Sequence, residues 1–237
     1  MFSLADQYTP AFDALTFASP VTHVYNPLAY ARRAWNRYIE RYGDTEKGIL
    51  FLGMNPGPWG MSQTGIPFGE IEAVRDWMGI EEPVERPSNE HPKRPIHGFA
   101  CRRSEVSGRR LWGLFAGRYE TPERFFHDHL VINYCPLAFI AESGRNITPD
   151  KLPASERTRL FALCDAMLAE TITAYRPRYL VGVGQFARRR FEAVAGEDSS
   201  VTVTYVLHPS PASPAANSGW AERARRELVE RGVWAER

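Results

Sequence analysis

The sequence predicts an α/β fold in one domain of residues 1–237, with an open, mostly parallel sheet of four strands flanked by helices. Short apolar runs alternate along the chain with longer segments of helical periodicity. Strands that alternate with helices form βα units with right-handed crossovers. A chain of 237 residues can bury a full hydrophobic core. The apolar content of 43% and the charged content of 24% are typical of globular domains and exclude disordered, collagenous and coiled-coil chains.

Four short segments are the predicted strands, and the first of them is a continuous apolar run, which is typical of a buried strand. They are Gly48–Gly53, Leu130–Asn133, Arg178–Val183 and Val201–Leu207. Apolar residues at helical spacing predict helices at Asn26–Tyr42, Glu70–Met78, Ser107–Gly117, Ser155–Tyr175, Gln185–Ala195 and Ala221–Gly232. The Pro-rich stretch Glu81–Gly98 is predicted to be a long loop, which in a compact domain is more often functional than idle. Residues 1–25 are interpreted as an N-terminal extension packed on the domain.

Polar side chains follow the predicted strands at the edge where open α/β sheets bind ligands. The segments that leave the four strands are Met54–Gly57, Asn133–Pro136, Gly184–Gln185 and His208–Pro211. An amide donates and accepts hydrogen bonds at once, so Asn55 and Asn133 suit the edge of a planar nitrogen heterocycle. Taken alone, each asparagine is more often a turn cap, and His208, which could be a general acid or an oxyanion donor, is more often a surface histidine. The sequence therefore predicts a site at this edge.

Basic residues are clustered, although 29 lysines and arginines against 28 acids leave a formal charge of only +1. The segment Cys101–Tyr119 carries five arginines against one glutamate. Two further runs lie at Arg188–Arg190 and Arg223–Arg226. Such runs permit a surface that follows phosphates, although a solvated helix face is their commoner origin.

Composition also limits the cellular context and the cofactors. Three cysteines are too few for the four thiolates of an iron–sulfur cluster and are typical of a reducing, intracellular compartment. No apolar run is long enough to span a bilayer, and no basic residue precedes Arg32, so neither a membrane span nor a secretory signal is expected. We expect a monomer without metal or cofactor, in the cytoplasm and nucleoid of a bacterium or the nucleus of a eukaryote.

The segments after the first and last predicted strands contain long motifs. The first reads Gly53-Met-Asn-Pro-Gly-Pro-Trp-Gly-Met-Ser-Gln-Thr-Gly-Ile-Pro-Phe-Gly-Glu70, and the second reads His208-Pro-Ser-Pro-Ala-Ser-Pro-Ala-Ala-Asn-Ser-Gly-Trp220. Both closely resemble the signature segments of the single-strand-selective monofunctional uracil-DNA glycosylases. Four shorter segments between them, in order, are also similar to that family: Arg103–Gly108, Asn133–Leu137, Ser143–Pro149 and Val181–Gly184.

The resemblance implies the uracil-DNA glycosylase fold and the hydrolytic removal of uracil, and of some 5-substituted uracils, from single- and double-stranded DNA. It implies that Asn55 positions the attacking water and that His208 donates a hydrogen bond to the departing uracil. The substrate contacts that it implies are pairing by Asn133, stacking by Phe68, and backbone contacts from Met54 and Gly57. No lysine lies in either motif, so no nucleophile for a Schiff-base lyase step is expected there.

The segment after His208 is expected to press into DNA as a wedge. By the resemblance, its DNA-contacting residues are Ser210, Pro211, Ala212, Ser213 and Asn217. Ala212 stands where many family members carry a basic side chain, and a methyl group cannot fill the space left by a flipped base. A preference for single strands is the consequence. Two other functions stay open at this point: a glycosylase for hypoxanthine or xanthine, and a non-catalytic single-stranded DNA-binding protein.

Overall fold

A four-stranded parallel sheet forms the centre of the computed structural model, which describes residues 2–196 and 200–236. Numbered along the described chain, the strands are β1 (Val21–Tyr25), β2 (Ile49–Gly53), β3 (His129–Asn133), β4 (Ala138–Ala141), β5 (Asn146–Ile147), β6 (Tyr179–Val183) and β7 (Thr202–Val206). The central sheet has the order β3–β2–β6–β7, and all its neighbouring strands are parallel. The predicted open parallel sheet of four strands is confirmed.

The strand β2 lies inside the sheet and is buried along its whole length. Leu50 pairs in register with Leu130 of β3 on one side and with Leu180 of β6 on the other, and all three side chains are fully buried. Helices cover both faces of such a sheet, so its strands need apolar residues at successive positions rather than at alternate ones. Because the four strands are parallel, their carboxyl ends all lie at one edge of the sheet.

The helices, in chain order, are α1 (Phe2–Asp13), α2 (Pro27–Tyr30), α3 (Arg32–Tyr42), α4 (Met61–Thr64), α5 (Val106–Tyr119), α6 (Pro122–Phe126), α7 (Ala154–Tyr175), α8 (Gln185–Ala195) and α9 (Trp220–Glu230). Four predicted helices correspond to α5, α7, α8 and α9. None of the helices in the described part of the chain is both long and apolar enough to cross a membrane.

Two predicted helices differ in the structure. The predicted helix Asn26–Tyr42 is divided into α2 and α3, because the backbone of Ala31 leaves the helical region between them. The predicted helix Glu70–Met78 is helical in the structure, but residues Ala73–Trp77 form a π-helical turn closed by a bond from Met78 N to Ala73 O. Apolar spacing does not distinguish these hydrogen-bond patterns over one or two turns.

A second, antiparallel sheet of the order β1–β4–β5 lies outside the prediction. Its strand β5 has only two residues, too few for a periodic signal. β4 and β5 bring the segment Ser143–Pro149 back towards β3 by pairing Asn146 with Ile140. The N-terminal helix α1 packs on α7, and its Tyr8 hydroxyl donates to Glu170 Oε1 at 2.5 Å.

Candidate active site

A cavity of about 340 Å³ opens at the carboxyl edge of the central sheet. Seven of the residues predicted for the site line it: Met54, Asn55, Gly57, Phe68, Asn133, His208 and Ser210. They come from the loops after β2, β3 and β7, which end at this edge because the strands are parallel. The sheet thus brings together residues that are far apart in the sequence.

Asn55 is the second residue after β2, and one hydrogen bond fixes its amide. Its Nδ2 donates to the carbonyl oxygen of Leu137, just before β4, at 3.2 Å. Because the nitrogen side of the amide is held by the protein, Oδ1 is the atom that remains to accept a hydrogen bond at the cavity. An amide has no useful pKa, so Asn55 can orient a water molecule but cannot remove its proton as a strong base.

Asn133, the last residue of β3, faces the cavity beside a glycine. Its Nδ2 donates to Met61 Sδ at 3.2 Å, and a thioether can only accept, so this contact fixes the orientation of the amide. A Cβ added to Gly53 would lie 2.2 Å from Asn133 Oδ1 and 2.6 Å from Phe68 Cε2. The absence of a side chain at Gly53 therefore allows the amide and the ring to lie together.

Phe68 has a left-handed backbone, with φ of 52°, which is unusual for a bulky residue. Its carbonyl oxygen accepts from Trp112 Nε1 at 3.0 Å and from Glu70 N at 2.7 Å. The same oxygen approaches Gly108 so closely that a Cβ there would lie 2.0 Å away. Strained residues persist where their surroundings hold them, and they cluster at ligand sites. These contacts hold the Phe68 ring at the cavity wall.

His208 follows β7 and is neutral at physiological pH, because burial lowers its pKa from 6.5 to about 4. The backbone N–H of Ser210 donates to His208 Nδ1 at 3.1 Å. Since Nδ1 accepts, the single proton of the neutral ring is on Nε2. The ring centroids of His208 and Phe68 are 5.9 Å apart. The cavity therefore contains a neutral N–H donor next to an aromatic wall.

The sequence of this chain matches a known superfamily over most of its length. A sequence model of the Uracil DNA glycosylase superfamily matches residues 40–229. The chain belongs to the uracil DNA glycosylase superfamily. This match confirms the resemblance found in the sequence. The motifs that carry the resemblance come together at the cavity.

Three mammalian relatives are similar to this superfamily member over 220 residues, which is 92% of its length. The single-strand selective monofunctional uracil DNA glycosylases of Mus musculus and Bos taurus are each 49% identical to it, with 79% and 81% of their chains covered. That of Rattus norvegicus is 50% identical, with 79% covered. The solved structure of Pedobacter heparinus SMUG2 matches with a TM-score of 0.68 over 97% of both chains. Its identity is 15%, so it supports the fold alone.

Five further residues line the cavity of this superfamily member without having been predicted individually: Met61, Glu105, Ser107, Asn146 and Thr148. Glu105 caps α5 by accepting from the backbone N–H groups of Ser107 and Gly108, and burial raises the pKa of its carboxyl group. The side-chain oxygen of Asn146 is buried and has no hydrogen-bond partner among the described residues. Each of the five lies inside a segment that resembles the family, which is the only signal by which the sequence could have identified them.

The remaining predicted DNA contacts lie outside the cavity, on an exposed loop. These are Pro211, Ala212, Ser213 and Asn217. Arg110 holds the loop, donating to Pro209 O and to Asn217 Oδ1, both at 3.0 Å. The Ser210 hydroxyl accepts from Ala212 N at 3.2 Å. The loop therefore has a fixed shape, with the small Ala212 side chain exposed near the mouth of the cavity.

Proposed function

We propose that this chain is a monofunctional uracil-DNA glycosylase, which hydrolyses the bond between uracil and deoxyribose and leaves an abasic site. One observation carries the proposal: two oriented amides, a held phenyl ring and a neutral imidazole N–H surround one cavity. The names of the mammalian relatives, which state uracil-DNA glycosylase activity for those proteins, support the same function.

The base must leave the helical stack before these groups can reach it, at a cost of a few kcal/mol that is smaller in single strands. Stacking on the Phe68 ring can return about 1–3 kcal/mol of this cost. Uracil presents a ring N–H donor next to a carbonyl acceptor, and the amide of Asn133 matches both when its nitrogen faces the carbonyl. Cytosine presents the reverse pair, so the orientation fixed by Met61 favours uracil.

Cleavage of the glycosidic bond leaves a cationic sugar and an anionic uracil. We propose that the Nε2–H of neutral His208 donates to the uracil oxygen on which negative charge develops, which its neutral state and the bond from Ser210 N to Nδ1 support. By analogy with oxyanion donors, such a group contributes roughly 10²- to 10³-fold to the rate. A water molecule that is oriented by Asn55 Oδ1 then attacks the sugar. A strong base is not needed, because the departing base leaves a highly reactive carbon.

A lyase step needs an amine as its nucleophile. The number and positions of the lysines support a hydrolase without such a step. The chain has three lysines, at positions 47, 93 and 151, and none of them lines the cavity. Lys47 is buried and donates to Phe126 O at 2.6 Å. Lys151 pairs with Asp150 on the surface.

The substrate range follows from two small residues. A Cβ at Gly57 would meet only Glu105 Cγ, at 3.9 Å, so the cavity has free space there, and we propose that this space accepts a substituent on uracil C5. Ala212, exposed on the wedge loop, cannot fill a vacated stack, which favours single strands over duplexes. We accordingly propose release of uracil and some 5-substituted uracils from both kinds of DNA, with faster release from single strands.

A base-release assay tests the proposal under single-turnover conditions, with oligonucleotides that contain uracil, a 5-substituted uracil, hypoxanthine or xanthine. We expect free uracil and an intact abasic strand. Asn55→Ala and His208→Ala should each slow release about 100-fold or more while DNA binding changes little. Release of only hypoxanthine or xanthine would assign a different base. Binding without any release would assign the non-catalytic function, and an adduct trapped by borohydride would contradict the monofunctional reaction.

A further inference from the structure

A second depression, of about 420 Å³, lies beside the base cavity, and we call it the Trp59 groove. Its lining residues include Trp59, Lys93, Pro95, His97, Arg102 and Arg103. Trp59 is two residues after Gly57, and Arg103 is two residues before Glu105, and both of these partners line the base cavity. Two residues span at most about 7 Å, so the groove begins within about one nucleotide of the extruded base.

The two walls of the groove are fixed to each other by one buried side chain. Gln63 is completely buried, and its Nε2 donates to Pro58 O at 3.0 Å and to Pro95 O at 3.1 Å. Its Oε1 accepts from His97 N at 2.8 Å. Both N–H groups and the oxygen of this amide therefore connect the Trp59 loop with the Pro95–His97 segment, and the groove has a defined shape without a ligand.

Two guanidinium groups lie over the indole ring of Trp59. Arg103 Cζ is 4.7 Å and Arg94 Cζ is 5.1 Å from the ring centroid. Contacts of this kind stabilise a cation by about 0.5–1 kcal/mol at an exposed site and restrict where the guanidinium can move. Trp59 thus positions positive charge along the groove.

This charge is not neutralised by acids. Among the described residues, no carboxylate lies within ion-pair distance of Lys93, Arg94, Arg102 or Arg103. Five of the six arginines of the other two basic runs form ion pairs: Arg188–Glu192, Arg190–Asp165, Arg223–Glu227, Arg225–Glu222 and Arg226–Glu230. Of the three basic runs in the sequence, the first therefore has most of the charge available for a ligand.

We propose that the Trp59 groove binds the sugar–phosphate backbone of single-stranded DNA immediately next to the extruded nucleotide. The inference rests on the proposed function, because it takes the base cavity as the starting point of the strand. A positively charged groove with an aromatic side chain is the arrangement by which proteins follow single strands without reading their sequence. The groove also supplies a contact with the strand. The wedge loop does not supply this contact, because its exposed Ala212 side chain is small.

The test measures binding of a single-stranded oligonucleotide of about 12 nucleotides that carries a non-cleavable 2′-fluoro-arabino-uridine, over a range of salt concentrations. Loss of two phosphate contacts in the double variant Arg102→Gln/Arg103→Gln should reduce the slope of log affinity against log salt by about 1.4, since each contact contributes about 0.7. Trp59→Leu should weaken binding about two- to fivefold, because the guanidiniums lose their support.

The matched control is Arg225→Gln/Arg226→Gln, which removes the same two charges from exposed, acid-paired positions on α9. It should leave the slope unchanged. Oligonucleotides that extend from the modified uridine on one side only locate the groove: extension on one side should strengthen binding to the unaltered chain and not to the groove variant. An equal loss in groove and control variants, or no loss in the groove variant, would overturn the proposal.

Base release by the unaltered chain is measured separately on the cleavable oligonucleotide. A chain that releases uracil, but whose groove variant keeps the salt slope and the flank dependence, retains the proposed function and loses the groove. A chain that binds the non-cleavable strand through the groove but releases no uracil retains the groove and loses the proposed function.

Discussion

In the base cavity the side chains that face the ligand are mostly uncharged and are held by hydrogen bonds, whereas in the Trp59 groove they are cationic and exposed. His208 is neutral because burial lowers its pKa, and Asn55 and Asn133 each have a fixed partner. Arg102 and Arg103 lie close by in the sequence, are exposed and have no acid partner among the residues that the structure describes. The two regions share the Gly57–Trp59 loop as a wall.

The difference corresponds to the two roles that we propose for these regions on one DNA substrate. Charge that develops on a departing base is stabilised best by oriented dipoles in a desolvated site, where no solvent must reorganise. A phosphate backbone already carries full charge, and exposed arginines bind it by displacing its counterions, an effect that salt weakens. Variants in the cavity should therefore change rate, and variants in the groove should change affinity and its salt dependence.

The largest effect is expected from Gly53→Ala. The new methyl group would overlap Asn133 Oδ1 and the Phe68 ring edge, so both must move from the base. Misplacement of reacting groups by about 1 Å can cost about 100-fold, and we expect at least this loss in the single-turnover rate of uracil release. Binding to single strands through the groove should change much less.

Gly57→Ala is the matched control, because a Cβ there makes only an ordinary contact of 3.9 Å. It should keep most activity on uracil and lose activity on uracils with a large 5-substituent. Thermal unfolding of both variants checks that the fold is intact. A Gly53→Ala variant with an unaltered rate would contradict the placement of Asn133 and Phe68 in the base cavity.

The pH dependence of the rate should follow His208. With a folded pKa of about 4, the ring stays neutral and release stays constant from pH 8 to about pH 5. Below about pH 4 the rate should fall about tenfold per pH unit. A proton on Nδ1 would face the Ser210 N–H donor, so the protonated ring would lose the hydrogen bond that holds it in place. A rate that falls with a midpoint near the ordinary value of 6.5 would mean that the ring is not desolvated.

The free energy of unfolding should also depend on pH, through His208 and a second buried histidine, His129. The folded pKa of His208, like that of His129, is lowered to about 4 from 6.5, so the unfolded chain takes up more protons between these values. Their contribution to the free energy of unfolding is complete above about pH 6.5 and is lost as the pH falls towards 4. Urea unfolding at several pH values separates this loss from the change in rate.

A smaller effect is expected from Ala212→Arg on the exposed wedge loop. The guanidinium can occupy the stack that the flipped base leaves, which is worth about 1 kcal/mol, or roughly fivefold, on duplex substrates. Single strands have no opposing strand to hold open, so their release rate should increase less. The measurement is the ratio of duplex to single-strand release. Equal gains on both would indicate simple charge attraction and contradict the wedge role.

A modest effect of about the same size is expected from Met61→Leu, which keeps an apolar side chain of similar size but removes the sulfur acceptor of Asn133 Nδ2. A neutral hydrogen bond contributes about 0.5–1.5 kcal/mol. The preference for non-cleavable uracil over cytosine analogues should therefore fall about two- to tenfold. Met78→Leu, in the core away from the cavity, is the control. An unchanged preference would mean that another group orients the amide.

Local patterns in the sequence determine much of the architecture. The apolar runs that became β2, β3 and β6 are buried almost throughout, as is typical of a parallel sheet covered by helices, whereas β7 is partly exposed. The position of Asn55, Asn133 and His208 just beyond three of these strands follows from the same pattern. The sheet β1–β4–β5 and the π-helical turn Ala73–Trp77 were not predictable, because their hydrogen bonds depend on distant partners or on a few residues.

The sequence by itself determined the fold class, the edge of the sheet where the site lies, and, through its motifs, the superfamily. Tertiary structure decided which groups act together. Glycines at positions 53 and 108 look alike in the sequence, yet each matters because of what approaches it in space. Three basic runs also look alike, yet five of the six arginines in two of them pair with acids on the same or adjacent helices. Contact and charge compensation depend on distances between residues that are remote in the chain, and only folding sets those distances.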